Sequence, residues 1–240
     1  MTYKVLDLFS GIGGFSLGLE RTGGFKTVAF CEIEEYPQRV LAKHWPDVPC
    51  YTDVRTLTYE GLKADGIIPT CITAGFPCQD ISNAGRGAGI EGERSGLWSE
   101  VARLTGEIRP RYLLLENVSA ILGRGLDTVL GDLAQVGYDC EWHCVPASHP
   151  CIGALHQRDR WWCVAYANQQ GLEGYRGLRE RPGEWIARSL SQAQQKTWVP
   201  EPDVGRVANG VPNRVDRLKG LGNAVVPQIP ELIGQAILEA

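Results

Sequence analysis

The chain has 240 residues, with 24 Lys and Arg against 28 Asp and Glu, a net charge of −4, and eight scattered cysteines. That length buries one large core with a small appendage, and no apolar stretch reaches the roughly 18 residues that a membrane span needs. The N-terminus enters a strand at once, with no basic segment followed by an apolar one, so a reduced cytoplasmic compartment of a bacterial host or an infected cell is expected.

The apolar run Tyr3 to Leu8 reads as a strand. It opens into Asp7-Leu8-Phe9-Ser10-Gly11-Ile12-Gly13-Gly14-Phe15, followed by a helical pattern over Ser16 to Glu20. Glycines at such a turn let the backbone approach a ligand closely, although dinucleotide binding and plain tight packing use the same device. The second apolar run, Thr27 to Cys31, ends at Glu32 and precedes a helical pattern over Tyr36 to His44. An acid at the end of a second strand can accept hydrogen bonds from both ribose hydroxyls of an adenosyl group. It can equally be a solvated acid at a helix start.

Thr70 to Ala74 reads as a short buried strand, and Cys78 follows it in Gly75-Phe76-Pro77-Cys78-Gln79-Asp80-Ile81-Ser82. In an open α/β sheet the carboxyl ends of strands are where ligands bind. A lone cysteine is usually an inert core thiol, so its weight here comes from its neighbours. Ser82 to Leu97 interleaves Gly85, Gly87, Gly89, Gly92 and Gly96 with Arg86, Glu91, Glu93 and Arg94, a composition that favours mobility over packing.

Leu113 to Val118 is the apolar run of a strand buried on both faces, yet it carries Glu116 near its end. That carboxyl is either partly desolvated with a raised pKa or a helix N-terminal charge. Cys140, His143, Cys144, His149 and Cys151 are zinc-ligand types, but their spacing does not match the paired short-loop patterns. If residues 137–147 form a strand, alternation puts Cys140 and Cys144 on one face and His143 on the other. No metal is assigned. Arg158 and Arg160 precede the strand Trp161 to Ala165 and share one face by alternation, with a strand-edge pairing to Asp159 as the simpler alternative.

In this order the motifs resemble those of the DNA (cytosine-5) methyltransferases, over residues 3 to 166 and again from Gly222 to Ile237. The resemblance implies an α/β, Rossmann-like fold of the S-adenosylmethionine-dependent type, its sheet mostly parallel, with helices on both faces and a small target-recognition insertion. It divides the chain into a catalytic and cofactor-binding domain (1–166), a reduced recognition region (167–213) and a C-terminal element (214–240) that completes the first domain.

The resemblance also implies site residues. S-adenosylmethionine would meet the glycine turn at Phe9, Gly11 and Gly13, with Glu32 and Ile33 at the ribose. Asp53 and Val54 would read the adenine, and Pro77, Leu97, Asn223 and Ala224 would close the pocket. Cys78 would be the nucleophile and Glu116 the acid, with Arg160 and Arg158 beside a flipped cytosine. Ser82, Arg86 and Arg94 would touch DNA.

That chemistry needs these residue types. Cytosine C5 is a poor nucleophile until a thiolate adds to C6. A carboxyl group that protonates or hydrogen-bonds N3 eases the addition, general acid catalysis giving about 10²–10⁴-fold. The base must leave the duplex first, at a few kcal/mol.

The partner implied is double-stranded DNA, met by a monomer. Residues 151–220 hold 11 Lys and Arg against 7 Asp and Glu, a balance of +4, while the remainder holds 13 against 21, a balance of −8. Such asymmetry suits a C-terminal third that faces phosphates.

Two departures from the family stand out: His156 replaces its usual glutamine, and 167–213 is short and lacks the expected packing motif. The arginines there, Arg176, Arg179, Arg181 and Arg188, either read DNA or belong to a disordered linker. Cytosine in RNA, and a partner-dependent homologue without turnover of its own, remain as alternatives.

Overall fold

The computed structural model describes residues 2–77, 96–154, 157–167 and 214–239. Cys78, Ser82, Arg86, Arg94, His156 and the stretch 168–213 lie outside the described residues. Seven strands form one sheet: β1 (Tyr3–Leu8), β2 (Phe25–Cys31), β3 (Cys50–Tyr51), β4 (Cys71–Ala74), β5 (Tyr112–Val118), β6 (Tyr138–Pro146) and β7 (Asp159–Ala167). Their spatial order is β3-β2-β1-β4-β5-β7-β6. Only β7 runs against the rest, since it pairs antiparallel with both β5 and β6. The expected mostly parallel α/β sheet is therefore what this chain forms.

The helices are α1 (Gly14–Arg21), α2 (Glu35–His44), α3 (Tyr59–Ala64), α4 (Gly96–Ile108), α5 (Leu126–Gln135), α6 (Arg214–Asn223) and α7 (Gln228–Leu238). On one face of the sheet Leu6, Leu8, Ile72, Leu113, Leu115 and Trp161 pack with Leu62, Trp98, Leu104 and Leu133 of α3, α4 and α5. On the other, Val5, Tyr112, Leu114, Trp162 and Val164 pack with Phe15 and Leu19 of α1 and Ile229, Ile233 and Ile237 of α7. Strands with apolar side chains on both faces are what a doubly covered parallel sheet requires.

Three boundaries differ from the sequence reading. The second strand starts at Phe25, because Phe25 pairs with Tyr3 and stacks on its ring at 5.1 Å. The strand that holds Glu116, β5, starts one residue earlier, at Tyr112, which pairs with Cys71 and Tyr166, and ends as expected at Val118, where β7 supplies a partner as far as Arg160. For the same reason Arg160 sits within β7, whereas Arg158 precedes it.

Candidate active site

The parallel registers put four strand ends on one edge of the sheet. Leu8 pairs with Cys31 and with Ala74, and Ala74 pairs with Leu115. The glycine turn, Glu32, the Gly75–Pro77 segment and Glu116 thus emerge side by side. Between β1 and β4 the strand order reverses, which is where open α/β sheets leave a crevice for ligands.

The turn after β1 is tightly specified. Phe9 has φ 53°, a left-handed value uncommon for an aromatic residue, and such strain clusters at functional sites. Gly13, φ 85°, is the N-cap of α1, and a Cβ there would lie 2.6 Å from the Trp45 ring. Gly11, φ 53°, faces open space: a Cβ built on it meets nothing within 4 Å. That leaves a backbone cradle beside an acid, because Gly11 N–H donates to Glu32 Oε2 at 2.7 Å.

Glu32 is 9% exposed, and its other oxygen accepts from Glu34 N–H at 2.8 Å. Glu32 lies before α2 and is no helix-start charge; Glu34 occupies the cap. Each carboxylate oxygen keeps acceptor capacity, so this acceptor pair fits the two hydroxyl donors of a ribose diol and with it an adenosyl cofactor. Ile33 next to it is 64% exposed. Asp53 is occupied by Arg55, whose backbone N–H and Nε both donate at 3.0 Å, and those bonds hold its carboxyl below the usual range. Val54 is buried behind it.

Glu116 is 9% exposed and receives Arg160 Nε on Oε1 at 3.0 Å. Burial pushes its pKa up, and the charges of Arg160 and Arg158 oppose that rise. A carboxyl whose burial favours the neutral form can donate a hydrogen bond as well as accept one. The strand-edge alternative for Arg160 is met only in part, since Nη1 donates to the carbonyl of Asp159 and not to its side chain.

Arg158 also reaches the C-terminal element. Its Nη1 donates to the carbonyl of Gly222, and its charge acts on Glu116. It joins the catalytic edge to the segment that leads through exposed Asn223 and half-buried Ala224 into α7.

Two side chains matter that the sequence reading did not single out. Asn117, 2% exposed, donates from Nδ2 to the carbonyl of Phe76 at 3.1 Å and so fixes the backbone before Pro77. Asp7, fully buried, accepts from Ser16 Oγ at 2.8 Å and Thr73 Oγ1 at 2.6 Å, tying β1 to α1 and β4. The available signal for each was a polar residue inside an apolar run. Leu97 lies at the start of α4, partly buried beside Trp98, whose ring packs 5.2 Å from Phe76.

The cysteine and histidine cluster on β6 and after it does not converge. Cys140 and Cys144 share a face as alternation predicts, and His149 Nδ1 lies 2.8 Å from Cys151 Sγ. Among the described residues no group of three or more His, Cys, Asp or Glu could hold a metal ion. No described helix is long and apolar enough to cross a membrane.

Comparison with known proteins adds a family. The family model described as C-5 cytosine-specific DNA methylase matches residues 3–208. A type II methyltransferase of Paramecium bursaria Chlorella virus IL3A, M.CviJI, is 41% identical over 168 residues, covering 69% of this chain and 43% of the relative. One of Neisseria gonorrhoeae, M.NgoBI, is 36% identical over 223 residues, covering 84% of this chain and 68% of the relative.

The chain spans less than half the length of the viral relative and of M2.BsuMI from Bacillus subtilis, at 43% and 40%. Among solved structures, the S. pombe Dnmt2 methyltransferase superposes with a TM-score of 0.68 at 17% identity, over 100% of this chain and 99% of that one. At that identity the likeness speaks for the fold.

Proposed function

The chain belongs to the C-5 cytosine-specific DNA methylase family, and on that premise we propose that it transfers a methyl group from S-adenosylmethionine to C5 of cytosine in double-stranded DNA. The observation that carries the reading is the buried Glu116, clasped by Arg160 at the same sheet edge as the Gly11–Glu32 cradle.

Phe9, Gly11, Gly13, Glu32 and Ile33 would hold the adenosyl end, with Asp53 and Val54 at the adenine. Pro77, Leu97, Asn223 and Ala224 would close around the remainder. When bound there, S-adenosylmethionine supplies an electrophilic methyl group.

The rest falls to this chain's own side chains. Cys78, two residues after the Phe76 carbonyl that Asn117 holds, adds as thiolate to C6 of the flipped base. Glu116, kept protonatable by burial, hydrogen-bonds or protonates N3 and takes up the charge that addition sends there. Arg160 orients that carboxyl. Loss of the C5 proton then returns the electron pair that expels the Cys78 thiolate.

Ser82, Arg86 and Arg94 would meet the DNA backbone, and the 167–213 region would carry recognition between the catalytic part and the C-terminal element. The chain would act as a monomer in the cytoplasm of a bacterial host or an infected cell, in the restriction-modification setting that its relatives' names indicate.

Tritium transfer from labelled S-adenosylmethionine tests this directly. Duplex DNA should become labelled at cytosine while RNA does not, and Cys78→Ser should abolish labelling with cofactor affinity kept, since a hydroxyl is a far weaker nucleophile at neutral pH. Labelled RNA, or full turnover in the serine variant, would overturn the reading.

A further inference from the structure

The turn between β3 and α3 is fastened from outside by one side chain. Arg103, on α4, donates from Nη2 to the carbonyl of Leu57 at 2.9 Å and to that of Val54 at 3.2 Å. Within the turn, Thr56 N–H and Oγ1 donate to the Asp53 carbonyl, Arg55 to the Asp53 side chain and Leu57 N–H to the Val54 carbonyl, so the Leu57 carbonyl takes its donor from Arg103. Buried carbonyls need donors, and Val54 and Leu57 are both buried in the core.

The guanidinium is aimed before it reaches the turn. Nε donates to Glu100 Oε2 at 2.7 Å and Nη1 to Glu107 Oε1 at 2.7 Å, from carboxylates one helical turn to either side. Glu107 Oε2 in turn accepts from Tyr59 N–H at 3.1 Å, at the start of α3. A planar fork with several donors suits such a network, and a lysine ammonium does not replace it.

We propose that Arg103 is a positioning residue for the adenine subsite: by holding the Val54 and Leu57 carbonyls against α4, it sets where Asp53 and Val54 stand relative to Glu32. This rests on the cofactor placement given under the proposed function. Arg103 touches neither cofactor nor base; it acts through the turn. The same helix carries Leu97 in its first turn, so one rigid element would align two walls of the pocket.

Calorimetric binding of S-adenosylhomocysteine to the full chain tests it, with melting temperatures recorded alongside. Arg103→Met should raise Kd by about tenfold, the loss of charge-assisted bonds at the subsite. Arg103→Lys should fall between it and the parent, and kcat at saturating cofactor should stay within about twofold of the parent.

Should Arg103→Met not fold, Glu100→Gln, which frees the guanidinium without removing it, should still raise Kd severalfold. A lowered melting temperature with parent-like Kd in these variants would overturn the inference alone. A parent chain that binds no S-adenosylhomocysteine would overturn the cofactor assignment and this inference with it.

Discussion

Arg160 Nε lies 3.0 Å from Glu116 Oε1 across neighbouring antiparallel strands, with Arg160 opposite Val118 and Trp162 opposite Glu116. The ion pair is therefore diagonal, and both side chains leave the sheet on the face that carries Trp162. Removing Arg160 leaves the buried Glu116 carboxyl without its charge partner, whereas Arg160 itself keeps some contact with solvent.

Arg160→Ala is expected to move the alkaline limb of the kcat profile to higher pH. Burial raises the Glu116 pKa and the Arg160 charge lowers it, so without that charge the carboxyl keeps its proton further into the alkaline range. Stability should fall by roughly 3 kcal/mol, the lower end for splitting a buried pair, because Arg160 is partly exposed. A pH profile whose alkaline limb stays in place would remove Glu116 as the group that must be protonated.

The two site carboxylates should separate binding from turnover. Glu32→Ala should weaken S-adenosylmethionine binding by about 1.5–3 kcal/mol, the range for hydrogen bonds to a charged group. Glu116→Gln should leave affinity unchanged and lower kcat by about 10²–10⁴-fold. Calorimetry and steady-state rates on both variants check this, and the reverse pattern would exchange their roles.

Asp7 predicts a pH-dependent stability. Burial pushes its carboxyl up from the ordinary 3.8 to about 7, while the bonds from Thr73 and Ser16 hold it down. Between those values the folded chain holds a proton that the unfolded chain has lost, so stability falls as pH rises from about 4 to 7. Asp7→Asn keeps the shape and cannot ionise. Its unfolding free energy from urea titration should stay flatter over that window and match or exceed the parent at pH 8, by a few kcal/mol at most. Parallel slopes for the two proteins would contradict the assignment.

Gly14→Ala tests how the C-terminal element is docked. A Cβ on Gly14 would stand 2.5 Å from the Val225 carbonyl oxygen and 2.9 Å from Val225 Cβ, so the segment leading into α7 must shift. Overpacking of this kind costs about 1–3 kcal/mol. Hydrogen exchange should report early opening of α7 and α1 together, with β4 and β5 protected as before. Unchanged protection in α7 would mean the segment accommodates the methyl group freely.

The sequence by itself determined what is local. Buried strands were legible as apolar runs, and the glycine turn, Glu32 and Glu116 interrupted those runs where a parallel sheet has its carboxyl ends. The existence of β1, β2, β4, β5 and β7 followed from pattern, while the two-residue β3 did not, and the order of the motifs pointed to the family.

Tertiary structure alone decided which groups meet. The bond from Asn117 to the Phe76 carbonyl spans 41 residues, that from Arg158 to Gly222 spans 64 and that from Arg103 to Val54 spans 49. The start of β2 at Phe25 depends on a stack with Tyr3, and the length of β5 on pairing with β7. Periodicity reports only which side of an element is apolar. A hydrogen bond between distant residues, or a carboxyl pKa raised by burial, exists only once the sheet has closed and water has been excluded.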